Sequence, residues 1–170
     1  MHGYLAPWIR ALVVAHVASA FAFVLLHGPS IAAMMRLRTE RDVGAVRALL
    51  DMSRAWSGWS WAAWASLATS GAALAASEHT WARPWVWGSI VVLVLVTGSM
   101  SPLAARAFNH AREAAGLPWF DGKGVREPKP VDPRALEAAL ATIRARAAAV
   151  LAIGAIGLAA LVFLMVAKPG

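Results

Sequence analysis

Four long runs of apolar residues constrain this chain more than any other feature of its sequence. They extend over about residues 8–27, 56–77, 85–103 and 147–167, and Arg10 is the single charged residue within them. Each run is close to the roughly 20 apolar residues that a helix needs to cross the hydrocarbon core of a bilayer. Unpaired backbone is too costly in lipid for open strands. The runs therefore predict an all-α integral membrane protein with four transmembrane helices in a bundle.

The basic residues predict how these helices are oriented. Of the 16 Lys and Arg residues, 13 lie in the two connecting loops, residues 28–55 and 104–146. Lys and Arg accumulate in cytoplasmic loops of membrane proteins. We therefore expect both loops to be cytoplasmic and both termini to lie outside. The same bias accounts for the net charge of +7 without nucleic acid as a partner.

Both loops contain signals for helical extensions of the membrane helices. Residues 42–54 place apolar side chains on one face, as a short amphipathic helix does. The third helix is expected to continue to about Gly116, and residues 117–133 to be irregular because of their prolines and glycines. Asp132 and Pro133 resemble a helix N-cap and first turn, so one helix is expected from there through the fourth run. We expect a single domain over residues 1–170, with the first run retained rather than removed as a signal peptide.

Several classes of function lack the residues they need. The chain has no cysteine, which excludes disulfides, thiolate metal sites and cysteine nucleophiles. The last three runs contain no ionisable Asp, Glu, Lys or Arg, which proton pumps and carriers of charged substrates usually require. The sequence also has no nucleophile elbow, zinc-protease motif or phosphate-binding glycine loop.

His16 is the first candidate for chemistry inside the membrane. It lies eleven residues before His27, so the two imidazoles fall on one helical face. A neutral imidazole in lipid needs a polar partner. The second helix offers Ser66, Thr69 and Ser70 at about the depth of His16. Two interpretations are open: an interhelical hydrogen bond, or a ligand of iron or another metal.

His27 is the second candidate and lies at the expected inner edge of the membrane. Pro29 leaves the carbonyl of Leu25 without its helical donor, so the Gly-Pro pair is expected to kink the helix. His110 follows one or two turns farther into the cytoplasm. Other polar residues of the third helix and its surroundings are expected at the depth of His27: Ser30, Thr97, Ser99 and Ser101. These side chains either form a small pocket open to the inner leaflet, or simply meet water where the helices leave the lipid.

Residues 10–55 resemble a known group of proteins. The pattern AHVASAFAFVLLHGPSIAAMMRLRTERD, followed by RALLDMSR, is similar to the opening of small bacterial four-helix membrane proteins. That group includes the copper-resistance D type, the haem-binding protoporphyrinogen oxidase of the HemJ type, and uncharacterised relatives, which this chain resembles most. The resemblance implies a helix-one histidine followed by a basic residue past the helix end, at His16 and Arg36. It also implies a location in the bacterial cytoplasmic (inner) membrane. The lysine ligand expected in a later helix of the HemJ type has no counterpart here.

Three functions follow as hypotheses. The first is a redox-related bundle that binds b-type haem or a metal through His16 or His27, with His110 and Arg36 as further cofactor contacts; it is an enzyme only if haem is bound. The second is a non-enzymatic accessory or self-assembling subunit, because small residues recur on two helices. These residues are Gly58, Ala62 and Ala65 in the second helix and Ala152, Ala155 and Ala159 in the fourth. The third, a small channel or carrier, lacks a polar stripe across the membrane.

The bilayer itself is the partner that the sequence predicts most directly. Arginines at the inner surface are expected to attract anionic lipid headgroups. The arginines concerned are Arg36, Arg38, Arg41 and Arg47. A homo-oligomer or a larger membrane complex is the other expected association.

Overall fold

The computed structural model describes residues 6–169, leaving out the side chain of Ser101, and the chain is about 82% helical. The helices are α1 (Pro7–Leu37), α2 (Val43–Ser77), a 3₁₀ turn (Thr80–Ala82), α3 (Pro84–Met100), α4 (Arg106–Ala114) and α5 (Pro133–Ala167). A π-helical stretch, Ser101–Ala105, joins α3 to α4 without a break. Two short strands, β1 (Trp119–Phe120) and β2 (Val125–Arg126), precede α5.

Three helical segments are long and apolar enough to cross a membrane, which supports assignment as a membrane protein. They are Pro7–Leu37, the continuous stretch Pro84–Ala114, and Pro133–Ala167. The helix α2 is as long as α5, but it is not among the segments that are apolar enough to cross a membrane. Its second half interleaves tryptophan, serine and threonine with alanine, which lowers its apolar character.

The helices form two antiparallel pairs. Along its length α1 packs against α2, while α3 packs against α5. The pairs meet through contacts of α1 with α5 and of α2 with α4, whereas α1 and α3 are not a packed pair within residues 6–169. The fold is therefore built from two helical hairpins that are joined mainly at one end.

That end contains the buried core, which we call the base. Its apolar side chains come from α1, α2, α4, the turn after α4, and the first half of α5. The members are Met34, Leu37, Val46, Leu50, Ala107, Ala111, Ala114, Ala115, Leu117, Leu136, Ala139, Leu140, Ile143, Ala147 and Val150. Away from the base the apolar runs are open to their surroundings; Leu25 is 73% exposed and Val166 is 79% exposed. These exposed surfaces are where lipid would replace protein contacts.

A buried arginine crosses the base. Arg112 of α4 donates through Nε to the Pro118 carbonyl at 2.8 Å and through Nη1 to the Leu50 carbonyl at 2.9 Å. Its Nη2 lies 2.9 Å from Oδ1 of Asp51. All three guanidinium nitrogens are thus used, as a buried charge requires. The residue ties α4, α2 and the following turn together.

The loops contain more helix than their predicted bounds imply. The helix α1 continues ten residues past His27, through Pro29, and ends at Leu37. The predicted amphipathic segment at residues 42–54 is the first part of α2 rather than a separate helix. Asp42 caps this helix by accepting from the Ala45 amide at 2.7 Å. Much of the predicted loop 28–55 is therefore part of α1 and α2.

The predicted start of α5 is confirmed. Asp132 accepts from the amides of Arg134 and Ala135 at 3.0 Å, and Pro133 occupies the first turn. From there α5 runs for 35 residues without interruption. The helix carries the chain from the base along the whole of α3.

The prediction that residues 117–133 are irregular is wrong in part. Trp119 pairs with Arg126, and Phe120 with Val125, in a small antiparallel hairpin. Asp121 closes its turn by accepting from the amides of Lys123 and Gly124 at 2.8 and 2.9 Å. Turn chemistry of Asp and Gly outweighs the irregularity suggested by the prolines.

Candidate cofactor site on helix α1

His16 lies on the face of α1 that meets α2. Its Nδ1 is 3.1 Å from the carbonyl oxygen of Leu67 and 3.2 Å from Oγ of Ser70. A carbonyl only accepts hydrogen bonds, so Nδ1 carries the proton when the ring is neutral, and Nε2 keeps its lone pair. The predicted interhelical hydrogen bond to Ser70 is confirmed, and the backbone of Leu67 is an additional partner.

A glycine on α2 makes room for this ring. A Cβ atom built on Gly71 would lie 2.9 Å from Cε1 of His16 and 3.3 Å from Nδ1. Both distances are shorter than normal contacts. The imidazole therefore packs directly on the backbone of α2, a feature that the sequence did not reveal because Gly71 is one of many small residues in this helix.

Two more polar contacts connect α1 to α2. Ser19 and Ser66 share a hydrogen bond of 2.7 Å between their hydroxyl groups, and Ser30 accepts from Ser53 at 3.0 Å. Thr69, the third predicted partner of His16, instead donates to a carbonyl of its own helix. His16 thus belongs to a series of polar contacts that fix the register of the two helices.

His27 has a different environment. Its ring stacks on Phe23, with centroids 5.6 Å apart and planes inclined by 17°. No hydrogen bond to its ring nitrogens is found among residues 6–169. His27 lies about 16 Å from His16 along the axis of α1, so one small ligand cannot bind both rings.

The structure does not assemble the predicted pocket between the first and third membrane helices. Ser30 pairs with Ser53, and Thr97 accepts from Nε1 of Trp64 at 3.2 Å. Ser99 donates to the Val96 carbonyl within its own helix. The side chain of Ser101 is outside the part of the chain that the structure describes. Each of these polar groups that is described is bonded to a partner other than His27.

His110 and Arg36 lie at the end of the fold that contains the base. His110 is exposed on α4. Arg36 is exposed in the last turn of α1, with Nε 4.0 Å from Oε2 of Glu40. The 20 residues between His16 and Arg36 correspond to about 30 Å of helix. The four predicted cofactor contacts therefore do not converge on one site.

As a ligand site, His16 fits in one respect and is incomplete in another. Histidines that bind metals usually donate their second ring N–H to a carbonyl or carboxylate, which fixes the ring and its tautomer. The contact with Leu67 meets that requirement. Within residues 6–169 no group of three or more His, Asp or Glu side chains could hold a metal ion. His16 can thus supply one axial donor, and the described chain brings no second donor to it.

The small-residue faces are turned outward. Gly58, Ala62 and Ala65 are exposed on α2, and Ala152, Ala155 and Ala159 are exposed on α5. The close approach of α5 to α3 uses Gly157 instead, where a Cβ atom would lie 2.3 Å from Cγ2 of Val96. A groove of about 580 Å³ lies along the exposed face of α5 between Ala155 and Ala167.

The predicted arginine run divides into residues with different partners. Arg36 lies near Glu40, Arg41 donates to Glu137 at 3.3 Å, and Arg47 donates to the Gly116 carbonyl at 3.1 Å. Arg38 makes no ion pair within the described part of the chain.

No protein-family model, curated protein or solved structure matches this chain.

Proposed function

We propose that the chain is a four-span protein of the bacterial inner membrane, with both termini outside and the base in the cytoplasm. Three segments have the length and composition of membrane spans. The fourth, α2, is paired with α1 along its length through His16, Ser19 and Ser30, so it crosses wherever α1 crosses. The positive charge of the loops sets the direction.

The chain is suited to a test of this topology because it contains no cysteine. Single cysteines replacing Glu127 and Glu78, both exposed, would report on the two sides. In intact cells a membrane-impermeant maleimide should label Glu78→Cys, and label Glu127→Cys only after permeabilisation. Labelling of Glu127→Cys in intact cells would overturn the orientation.

For the biochemical role, we propose that His16 binds b-type haem as an axial ligand through Nε2. The observation that carries this proposal is the hydrogen bond from Nδ1 to the Leu67 carbonyl, which leaves Nε2 as the free donor atom. Residues 10–55 resemble a group of small membrane proteins that includes the haem-binding HemJ type, and this resemblance implies the same histidine. Bound haem would supply one-electron chemistry. This chain's part would be to hold one donor at a fixed orientation and to surround the group with apolar side chains.

The test of haem binding is the absorption spectrum of protein purified from haem-replete cells. Wild-type protein should show a Soret band, and His16→Ala should lose it. The matched control is His79→Ala, since His79 is an exposed histidine in the turn after α2. Colourless wild-type protein, or an unchanged Soret band in His16→Ala, would exclude His16 as the ligand. Loss of the band in His27→Ala alone would move the site to His27.

A second candidate function has its own supporting observation. The small residues of α2 and α5 face outward, so none of the six is used to pack the protomer. Close approach of backbones over small residues is how membrane helices associate. The chain would then act as a non-enzymatic subunit that assembles with itself or with another membrane protein.

Substitution on the α5 face separates this candidate from the first. Ala155→Leu and Ala159→Leu should reduce the oligomer seen by native mass spectrometry in mild detergent. Ala135→Leu is the control, because Ala135 is exposed near the start of α5, outside the apolar run of that helix. A wild-type protein that is strictly monomeric and has no co-purifying partner would exclude assembly.

A further inference from the structure

A cleft in the base lies between the end of α1 and the first half of α5. It has a volume of about 320 Å³ and is lined by Met35, Arg38, Thr39 and Arg144. Two of its four lining residues carry guanidinium groups: Arg38 directly follows α1, and Arg144 lies in α5. Arginine presents planar pairs of N–H donors that match the oxygens of phosphate and carboxylate groups. The lining therefore has the chemistry of an anion site.

The charges around the cleft leave donors free. Arg144 uses Nη2 to bind the carboxylate of Glu137, but its Nη1 is buried and has no hydrogen-bond partner in the described structure. Arg38 makes no ion pair there. Glu137 also binds Arg41, at 3.3 Å. Two guanidinium groups thus share one carboxylate, and Arg38 adds a third positive charge to the lining of the cleft. A buried donor without a partner is costly unless a ligand or water supplies an acceptor.

The depth of the cleft favours a lipid as the source of the anion. Arg144 precedes the apolar run of α5 by three residues, which is about 4.5 Å of helix. The polar headgroup layer on each side of the hydrocarbon core is about 5–8 Å thick. In the proposed topology Arg144 therefore lies at the level of the inner headgroups. Arg38 comes three positions after the last of the apolar residues 31–35, which prolong α1 past His27. Met35 adds an apolar wall beside the two cations.

We propose that this cleft binds the phosphate group of an anionic phospholipid, with Arg38 and Arg144 donating to its oxygens. The site includes Arg144, which sequence reasoning did not place among the lipid-binding arginines. It retains one member of the predicted arginine run, Arg38, because the other three have partners in the protein. The inference does not depend on haem binding.

The experiment measures lipid retention by native mass spectrometry of the whole protein after exchange into micelles with equal amounts of phosphatidylglycerol and phosphatidylcholine. Wild-type protein should retain phosphatidylglycerol preferentially. Arg38→Gln should lower that retention about fivefold, the size expected for one arginine near a membrane surface. Arg144→Gln should lower it at least as much. Arg134→Gln is the matched control, because Arg134 is exposed in the base and makes no ion pair in the described chain.

Arg38→Gln also guards against misfolding as an explanation, since it removes no ion pair and should leave the helical circular dichroism unchanged. A second arm titrates inorganic phosphate into detergent-solubilised protein and follows thermal stability. Stabilisation that requires Arg38, without any preference for phosphatidylglycerol, would show that the site takes soluble phosphate and would overturn the lipid assignment. Equal retention of phosphatidylglycerol by wild type, Arg38→Gln and Arg144→Gln would overturn the site itself.

Discussion

Arg112 and Asp51 form an ion pair with one buried and one exposed member. Nη2 of Arg112 lies 2.9 Å from Oδ1 of Asp51. The side chain of Arg112 is 7% exposed, whereas that of Asp51 is 57% exposed. The arginine also bonds the carbonyls of Leu50 and Pro118. The two partners should therefore contribute unequally to the stability of the base.

Arg112→Met should lower the free energy of unfolding by about 2–4 kcal/mol, because two carbonyls lose a charged donor. Asp51→Asn should cost about 1 kcal/mol or less, since the side-chain oxygen of Asn can still accept from Arg112 at this exposed edge of the pair. Chemical denaturation in detergent, followed by circular dichroism, measures both. Equal losses for the two variants would contradict the assigned roles.

Gly71→Ala should force the ring of His16 away from α2. The added Cβ would meet Cε1 at 2.9 Å, and overpacking of this kind costs about 1–3 kcal/mol. Gly58→Ala is the control on the same helix, because no atom lies within 4 Å of its added Cβ. In a His16→Ala background the Gly71→Ala penalty should disappear. If it persists there, the imidazole is not what Gly71 accommodates.

Gly157→Ala should disturb the contact between α3 and α5. Its Cβ would lie 2.3 Å from Cγ2 of Val96, whereas the Cβ of Gly154→Ala would lie 3.7 Å from Cε of Met100, an ordinary contact. We expect lower thermal stability for Gly157→Ala and little change for Gly154→Ala. Combining Gly157→Ala with Val96→Ala should restore part of the loss. No difference between the two glycine variants would contradict the close packing at Gly157.

The hairpin after α4 should respond to acid through Asp121. The pKa of this carboxyl lies below its ordinary value because the amides of Lys123 and Gly124 bind it, with Arg126 adding positive charge. Its contribution to folding is therefore fully present above the unfolded-state pKa of about 3.9 and is lost as pH falls through the lower folded pKa. The Gly124 amide resonance should report this titration in NMR spectra. Asp121→Asn should remove the transition; a titration that survives there belongs to another group.

Local patterns in the sequence predicted those features that depend on neighbouring residues. Three of the four apolar runs coincide with segments long and apolar enough to cross a membrane. Asp132 and Pro133 marked the start of α5, and Ser70, one of three partners proposed for His16, is bonded to it. Each of these follows from helix length, capping or helical rise. Only the bond between His16 and Ser70 involves a second helix, and predicting it required only that α2 run antiparallel to α1.

Features that depend on which helices pair could not be predicted in this way. Apolar helices in lipid resemble one another, so partner choice depends on small local shapes such as Gly71 and Gly157. The base escaped prediction because its side chains come from four separated stretches, each too short to look like a core. The same reason applies to the cleft, where Arg38 and Arg144 are 106 positions apart in the chain.

The base has a consequence for how the protein is made. Leu37 and Val46 are translated early and Ile143 late, yet all three are completely buried in one core. The contacts between α1 and α2 can form before α5 has been synthesised, since the two helices are consecutive in the chain. The base cannot close until α5 has been synthesised. An interrupted translation product would thus expose the apolar side chains of the base, the kind of surface that cellular proteases and chaperones recognise. Only a full-length chain could bury them.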